Sequence, residues 1–93
     1  MTSKKFVQIA TVSGKVQGVG FRYYIYNLAL QLGIKGWVKN MPDGTLKAVL
    51  SGNIDKVYNI ISYIKKGPPM SRVENVSVTD YPGDEDFINF SIR

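Results

Sequence analysis

The chain has 93 residues, a length that accommodates one domain around a modest core and not two. Its hydrophobic fraction of 44% is that of an ordinary soluble globule, and it contains neither Cys nor His, which excludes disulfides, thiolate and imidazole metal sites, Cys nucleophiles and Ser-His arrangements. The net charge of +5 favours anionic partners in general; the basic residues are scattered, with Lys4-Lys5 and Lys65-Lys66 as the only doublets, so solvated faces are expected rather than a nucleic-acid stripe. The opening Met-Thr-Ser-Lys-Lys lacks the apolar run and cleavage site of a signal peptide, and no apolar stretch reaches membrane-spanning length. A cytoplasmic protein with no membrane partner is expected.

Residues 5–13 are rich in β-branched side chains and carry apolar groups at both parities, Val7 and Ile9 on one, Phe6, Ala10 and Val12 on the other, which predicts a central first strand. Three glycines follow within seven residues, in Gly14-Lys15-Val16-Gln17-Gly18-Val19-Gly20-Phe21-Arg22. Without Cβ atoms this stretch can turn several main-chain N–H groups toward one point. A helix over 22–33 follows from Ile25, Leu28, Ala29 and Leu32 at helical spacing, with Gly33 as its stop. Its unpaired first-turn N–H groups and positive dipole end face the same point as the glycine loop, and Arg22 adds a two-pronged donor fork. Together these describe a seat for a phosphate. It is not a nucleotide loop: neither G-x-x-x-x-G-K-[ST] nor G-x-G-x-x-G is present.

Residues 34–40 read as a second strand, and Asp43-Gly44 signals a tight hairpin into a third, 45–51. Asn53 is placed to cap a second helix over 54–66, whose stripe is Ile54, Val57, Ile61 and Ile64, with Asp55 in the first turn, Lys65 and Lys66 in the last, and Gly67-Pro68-Pro69 beyond. A fourth strand is expected over 73–81 and, after the turn Pro82-Gly83-Asp84, a short last strand over 87–92. The order is β-α-β-β-α-β plus one strand. It predicts an α+β, ferredoxin-like sandwich in a single domain spanning 1–93, with both helices on one face of a largely antiparallel sheet. The first helix descends about 18 Å from Arg22, and the second strand climbs about 20 Å. Asn40 is therefore expected level with Arg22, at the end of the sheet that carries the glycine loop.

These residues resemble the acylphosphatase family. The resemblance rests on Gly14-x-Val16-Gln17-Gly18-Val19-Gly20-Phe21-Arg22, on Leu32-Gly33-Ile34-x-Gly36-Trp37-Val38-Lys39-Asn40 with Asp43-Gly44-Thr45, on Gly67-Pro68-Pro69 followed by Val73-Glu74-x-Val76, and on Phe90-x-Ile92. It covers nearly the whole chain, in long, correctly spaced motifs. It implies a small enzyme that hydrolyses the carboxyl-phosphate bond of acyl phosphates to a carboxylate and inorganic phosphate, with no metal and no cofactor. It further implies that Arg22 binds the phosphoryl group, that Asn40 positions the water, and that Lys15, Val16, Gln17, Gly18, Val19 and Gly20 form the phosphate loop. Lys47 departs from the family's pattern, which commonly has an acidic residue there, on a strand away from the anion seat.

That chemistry suits the composition. Transfer of a phosphoryl group from a mixed anhydride passes through a loose transition state, so placement and charge stabilisation carry most of the catalysis. The leaving carboxylate needs no general acid, its conjugate acid having a pKa of about 4. Asn40 cannot take a proton at neutral pH, but its amide offers an acceptor and two donors with which to aim one water. A proton of that water is expected to pass to a phosphoryl oxygen, giving a rate that is flat across neutral pH.

Each residue also has a plainer reading. The plainer reading makes Arg22 a surface helix residue, Asn40 a strand cap before the turn, and Gln17 a loop brace instead of a leaving-group contact. Lys15 either attracts the anion or does nothing measurable. Tyr23, Tyr24 and Tyr26 form a stacking platform or the rim of the core, and Trp37 and Phe21 are read as packing. Asp80, Asp84, Glu85 and Asp86 fit no EF-hand spacing and read as a solvated turn. Two other functions remain open. One is a carbamoyl-phosphate-handling domain like the N-terminal part of the hydrogenase-maturation carbamoyltransferases, which belongs to a much longer chain. The other is an RNA-binding module on the same frame, although the third strand lacks the stacking aromatics that such modules carry. The favoured partners are a small acyl phosphate and inorganic phosphate as product or inhibitor, with no nucleic acid, and the size permits a monomer.

Overall fold

The computed structural model describes residues 6–93; Lys5, the first residue of the expected first strand, and the Lys4-Lys5 doublet lie outside the described residues. The elements run β1 (Phe6–Lys15), α1 (Phe21–Leu32), β2 (Lys35–Asn40), β3 (Leu46–Gly52), α2 (Ile54–Lys66), β4 (Arg72–Asp80) and β5 (Phe90–Ile92). The five strands form one sheet in the order β4-β1-β3-β2-β5, with β5 parallel to β2 and every other pairing antiparallel. This is the expected ferredoxin-like arrangement, with β1 an interior strand; its Ala10 and Val12 are buried, while Val7 and Ile9 at the other parity stay half-buried.

The period of two decides which side chains meet the helices. Ala10 and Val12 of β1, Val38 of β2 and Leu46, Ala48 and Leu50 of β3 pack with Phe21, Ile25 and Ala29 of α1 and Val57, Ile60, Ile61 and Ile64 of α2 in one buried cluster. Burying one such Val, Leu, Ile or Phe stabilises the fold by about 1.5–3 kcal/mol. Within α2 the inward stripe is turned slightly from the expected one. Ile54, in the first turn, is 48% exposed, whereas Ile60 is buried with Val57, Ile61 and Ile64. In α1, Leu28 and Leu32 pack on the cluster but stay half-buried.

Most expected boundaries hold to within one residue; two shift further, for local reasons. β1 runs two residues further than expected, to Lys15, through a register slip against β4 between Ser13 and Gly14. Gly14 allows it: at φ 120° a Cβ there would lie 2.1 Å from the Arg72 carbonyl oxygen. That glycine therefore belongs to the strand pair and not to the anion turn. The last strand is confined to Phe90–Ile92, because the segment 81–89 is consumed in passing from β4 at one sheet edge to β5 at the other. The Tyr81 and Phe87 rings meet within it at a tilt of 55°, centroids 5.8 Å apart, and Lys35 Nζ donates to the Ile88 carbonyl at 3.2 Å.

Candidate active site

The turn between β1 and α1 is made by left-handed glycines, Gly18 at φ 73° and Gly20 at φ 77°. Gly20 is the N-cap of α1, and no side chain caps the helix or puts a carboxylate in its first turn. The Tyr24 N–H closes the first helical bond, to the Gly20 carbonyl at 3.0 Å. Among the described residues, the main-chain N–H groups of Gly18 to Tyr23 donate to no protein carbonyl. A helix start normally leaves such donors, and here the preceding loop adds more.

These donors border a small cavity of about 70 Å³ lined by Val16, Gly18, Gly20, Phe21, Arg22, Tyr23 and Asn40. That exceeds the space one water requires and admits a small tetrahedral anion. The antiparallel hairpin returns Asn40 to this end of the sheet, eighteen positions after Arg22. Arg22 is half-buried, and one of its terminal nitrogens donates at 3.4 Å to the Arg93 main-chain oxygen. This long contact leaves most of the five guanidinium N–H donors uncommitted. The Asn40 Oδ1 is buried and accepts no hydrogen bond from the protein. Among the described residues, no Asp, Glu, His, Lys or Cys lines the cavity, and no cluster of His, Cys, Asp and Glu could hold a metal.

The remaining candidates fall elsewhere. Gln17 turns away from the cavity: its Nε2 donates to the Met41 carbonyl at 2.8 Å and to the Thr45 carbonyl at 3.0 Å. Both amide donors are thus spent, and the side chain fastens the glycine loop to the β2–β3 hairpin. Asp43 rigidifies the same hairpin by accepting from the Thr45 hydroxyl at 2.6 Å and its N–H at 3.0 Å. Those bonds, the hydroxyl's first, hold the Asp43 carboxyl below the usual range. Lys15 ends β1 as an exposed residue opposite Arg72, and Val19 packs on the core; neither lines the cavity.

Among the aromatic residues, Phe21 is buried packing and Tyr24 a brace between the helices, its hydroxyl donating to the Tyr63 carbonyl at 3.0 Å. Burial, with Tyr63 nearby, raises its pKa and keeps that donor protonated. Tyr23 does line the cavity, which the sequence reading missed; its position one residue after Arg22 in the first turn was the available signal. Trp37 lies under the Arg93 guanidinium, 5.0 Å from the ring centroid, and Lys47 pairs across strands with Lys39, both away from the cavity lining.

Comparison with known proteins points one way. A family model described as Acylphosphatase matches residues 8–92. An acylphosphatase of Caldivirga maquilingensis is 48% identical over 83 residues, 88% of this chain and 87% of that protein. The crystal structure of acylphosphatase from Bacillus subtilis superposes with a TM-score of 0.90 at 35% identity, covering 95% of this chain and 98% of that one. Full-length HypF, crystallised in a phosphate- and nucleotide-bound form, also superposes with a TM-score of 0.90, at 26% identity; all of this chain matches only 12% of HypF.

Proposed function

The chain belongs to the acylphosphatase family of hydrolases, and on that premise we propose that it cleaves the carboxyl-phosphate bond of small acyl phosphates at the cavity between the glycine loop and Asn40. The phosphoryl group sits among the unpaired N–H groups of the loop and first helical turn, with the Arg22 guanidinium across two of its oxygens. As the bond to the leaving oxygen lengthens, charge gathers on the phosphoryl oxygens and on the departing carboxylate. Donors fixed in advance stabilise that state at no reorganisation cost.

The observation that carries the reading is the orphaned oxygen of Asn40. A buried acceptor without a donor costs about 1–3 kcal/mol, and the broad χ2 well of an amide lets that oxygen swing toward a water in the cavity. A water held there faces the phosphorus from the side opposite the leaving group. Its oxygen forms the new P–O bond, the carboxylate leaves with the electron pair of the old one, and the proton released passes to a phosphoryl oxygen. Gln17 holds the loop and the hairpin at the spacing this geometry needs, as a positioning residue.

With no side chain of the lining suited to proton transfer near neutrality, the expected kcat for acetyl phosphate is constant between about pH 6 and 8, and a chelator leaves it unchanged. A bell centred near 6.5, or activity that returns only on adding a divalent metal, contradicts the mechanism.

A further inference from the structure

Three tyrosines lie close together at the start of α1, and two of them are committed inside the fold. Tyr24 sets its ring edge-on to Phe21, centroids 5.8 Å apart, and donates to the Tyr63 carbonyl; Tyr26 meets Phe90 at 6.4 Å. Tyr23 differs from both. It is 67% exposed, and among the described residues its ring packs on no other aromatic ring and its hydroxyl makes no hydrogen bond. It nevertheless lines the anion cavity. Of the side chains that do so it alone is mostly exposed: Val16 and Phe21 are buried, and Arg22 and Asn40 half-buried.

The helical period fixes which side of the cavity it borders. Phe21, Ile25 and Ala29 form the buried side of α1, and Tyr23 lies about 200° round the helix from Phe21, on the side away from the sheet. Asn40 is on the sheet side, since it shares a strand face with Val38, which is buried in the cluster that α1 and α2 cover. In the reaction read above, the water held by Asn40 enters from the sheet side, and in-line displacement puts the leaving oxygen on the far side of the phosphorus. The bond to the acyl carbon therefore points outward, past Tyr23. A cavity of about 70 Å³ that holds the phosphoryl group leaves the acyl group outside it, against that ring.

We propose that Tyr23 is the residue that contacts the acyl group, and that its uncommitted ring favours flat aromatic acyl groups over saturated ones of similar size. The inference rests on the acyl-phosphate reading above and names the part of the substrate which that reading leaves unspecified. A carboxyl group joined to an aromatic ring is planar throughout, so it lies offset against the tyrosine face while the phosphoryl group stays seated. A puckered saturated ring covers a similar area without the complementary charge distribution of two π systems.

The test is the ratio of kcat/KM for benzoyl phosphate to kcat/KM for cyclohexanecarbonyl phosphate in wild type, Tyr23→Leu and Tyr23→Phe, with acetyl phosphate as a third substrate. Comparing this ratio between proteins cancels the difference in leaving-group reactivity. Tyr23→Leu keeps an apolar side chain at an exposed position, and its ratio falls about three- to tenfold, the worth of one aromatic pair. Tyr23→Phe keeps the ring and holds the ratio within about twofold of wild type. A ratio that falls less than about threefold in Tyr23→Leu overturns the inference, whatever the rates themselves do, and leaves the acyl-phosphate reading intact. A ratio that falls as far in Tyr23→Phe as in Tyr23→Leu assigns the preference to the hydroxyl and overturns it as well. If wild type hydrolyses none of the three, acetyl phosphate included, the parent reading fails and this one with it.

Discussion

At the start of α2 the chain completes its own helix. Asn53, in an extended conformation, accepts the Asp55 N–H at 2.9 Å, Asp55 supplies negative charge to the first turn, and Lys65 and Lys66 supply positive charge to the last. At the start of α1 the same strand-to-helix connection is left open. Gly20 brings no side chain, the first turn has no acid, the last turn has no base, and Arg22 puts a cation at the positive end of the dipole. Such a charge costs about 0.3–1 kcal/mol. The two halves of one pseudo-repeated fold thus treat their helix starts differently. One commits a donor to its own side-chain cap, and the other leaves its donors unpaired at a local cost, where the proposed reaction calls for an anion.

The contrast can be attacked from both sides, beginning with the largest effect. Replacing Arg22 by Gln removes the guanidinium and leaves the loop in place, so kcat/KM for acyl phosphates falls about 10³-fold. Because the charge sits unfavourably on the dipole, thermal stability holds or rises by a few tenths of a kcal/mol. A melting temperature that drops sharply instead makes Arg22 a structural residue. Next comes an attempt to make α1 resemble α2. At Gly20 no atom lies within 4 Å of where a Cβ would stand, and Asp is among the few residues that tolerate the left-handed conformation. Gly20→Asp therefore folds, but it brings its own carboxylate to the helix start. Activity is expected to fall about 10- to 100-fold and inhibition by phosphate to weaken in parallel. The smallest effect belongs to the other helix. Asn53→Ala costs about 1 kcal/mol, read as a melting temperature lower by about 4–8 °C for a domain of this size, with kcat/KM at 25 °C unchanged within twofold.

Much of this arrangement is legible from residue order alone, because the signals are local and of one kind each. Gly18 and Gly20 before an amphipathic run mark a turn and a helix start, Asn53 before Ile54 marks a cap, and Asp43-Gly44 sets the hairpin that returns Asn40 to the loop. What could not be read depends on partners distant in sequence. Gln17 offers an amide whose donors suit a ligand or a carbonyl equally, and only the approach of Met41 and Thr45 decides it. Gly14 looks like its two neighbours in the glycine run, yet its conformation answers to the Arg72 carbonyl of a strand more than fifty residues later. Ile54 and Ile60 fit the helical stripe nearly as well as each other, and only the packing of the folded chain separates them, burying Ile60 and leaving Ile54 48% exposed. The extreme case is the hollow lined by Leu30 and Ile88, which share one surface only because the segment 81–89 delivers Ile88 beside the first helix.

Binding and reaction are divided in this account between two sets of atoms, and Asn40 is the place to cut between them. The decisive measurement is the Asn40→Ala protein, in which the dissociation constant of inorganic phosphate and kcat for acetyl phosphate are determined on the same preparation. If main-chain amides and Arg22 hold the phosphoryl group while Asn40 serves only to aim water, phosphate affinity stays within about twofold of wild type and kcat falls about 10²-fold or more. Turnover that survives the substitution, or affinity and turnover that collapse together, would contradict it.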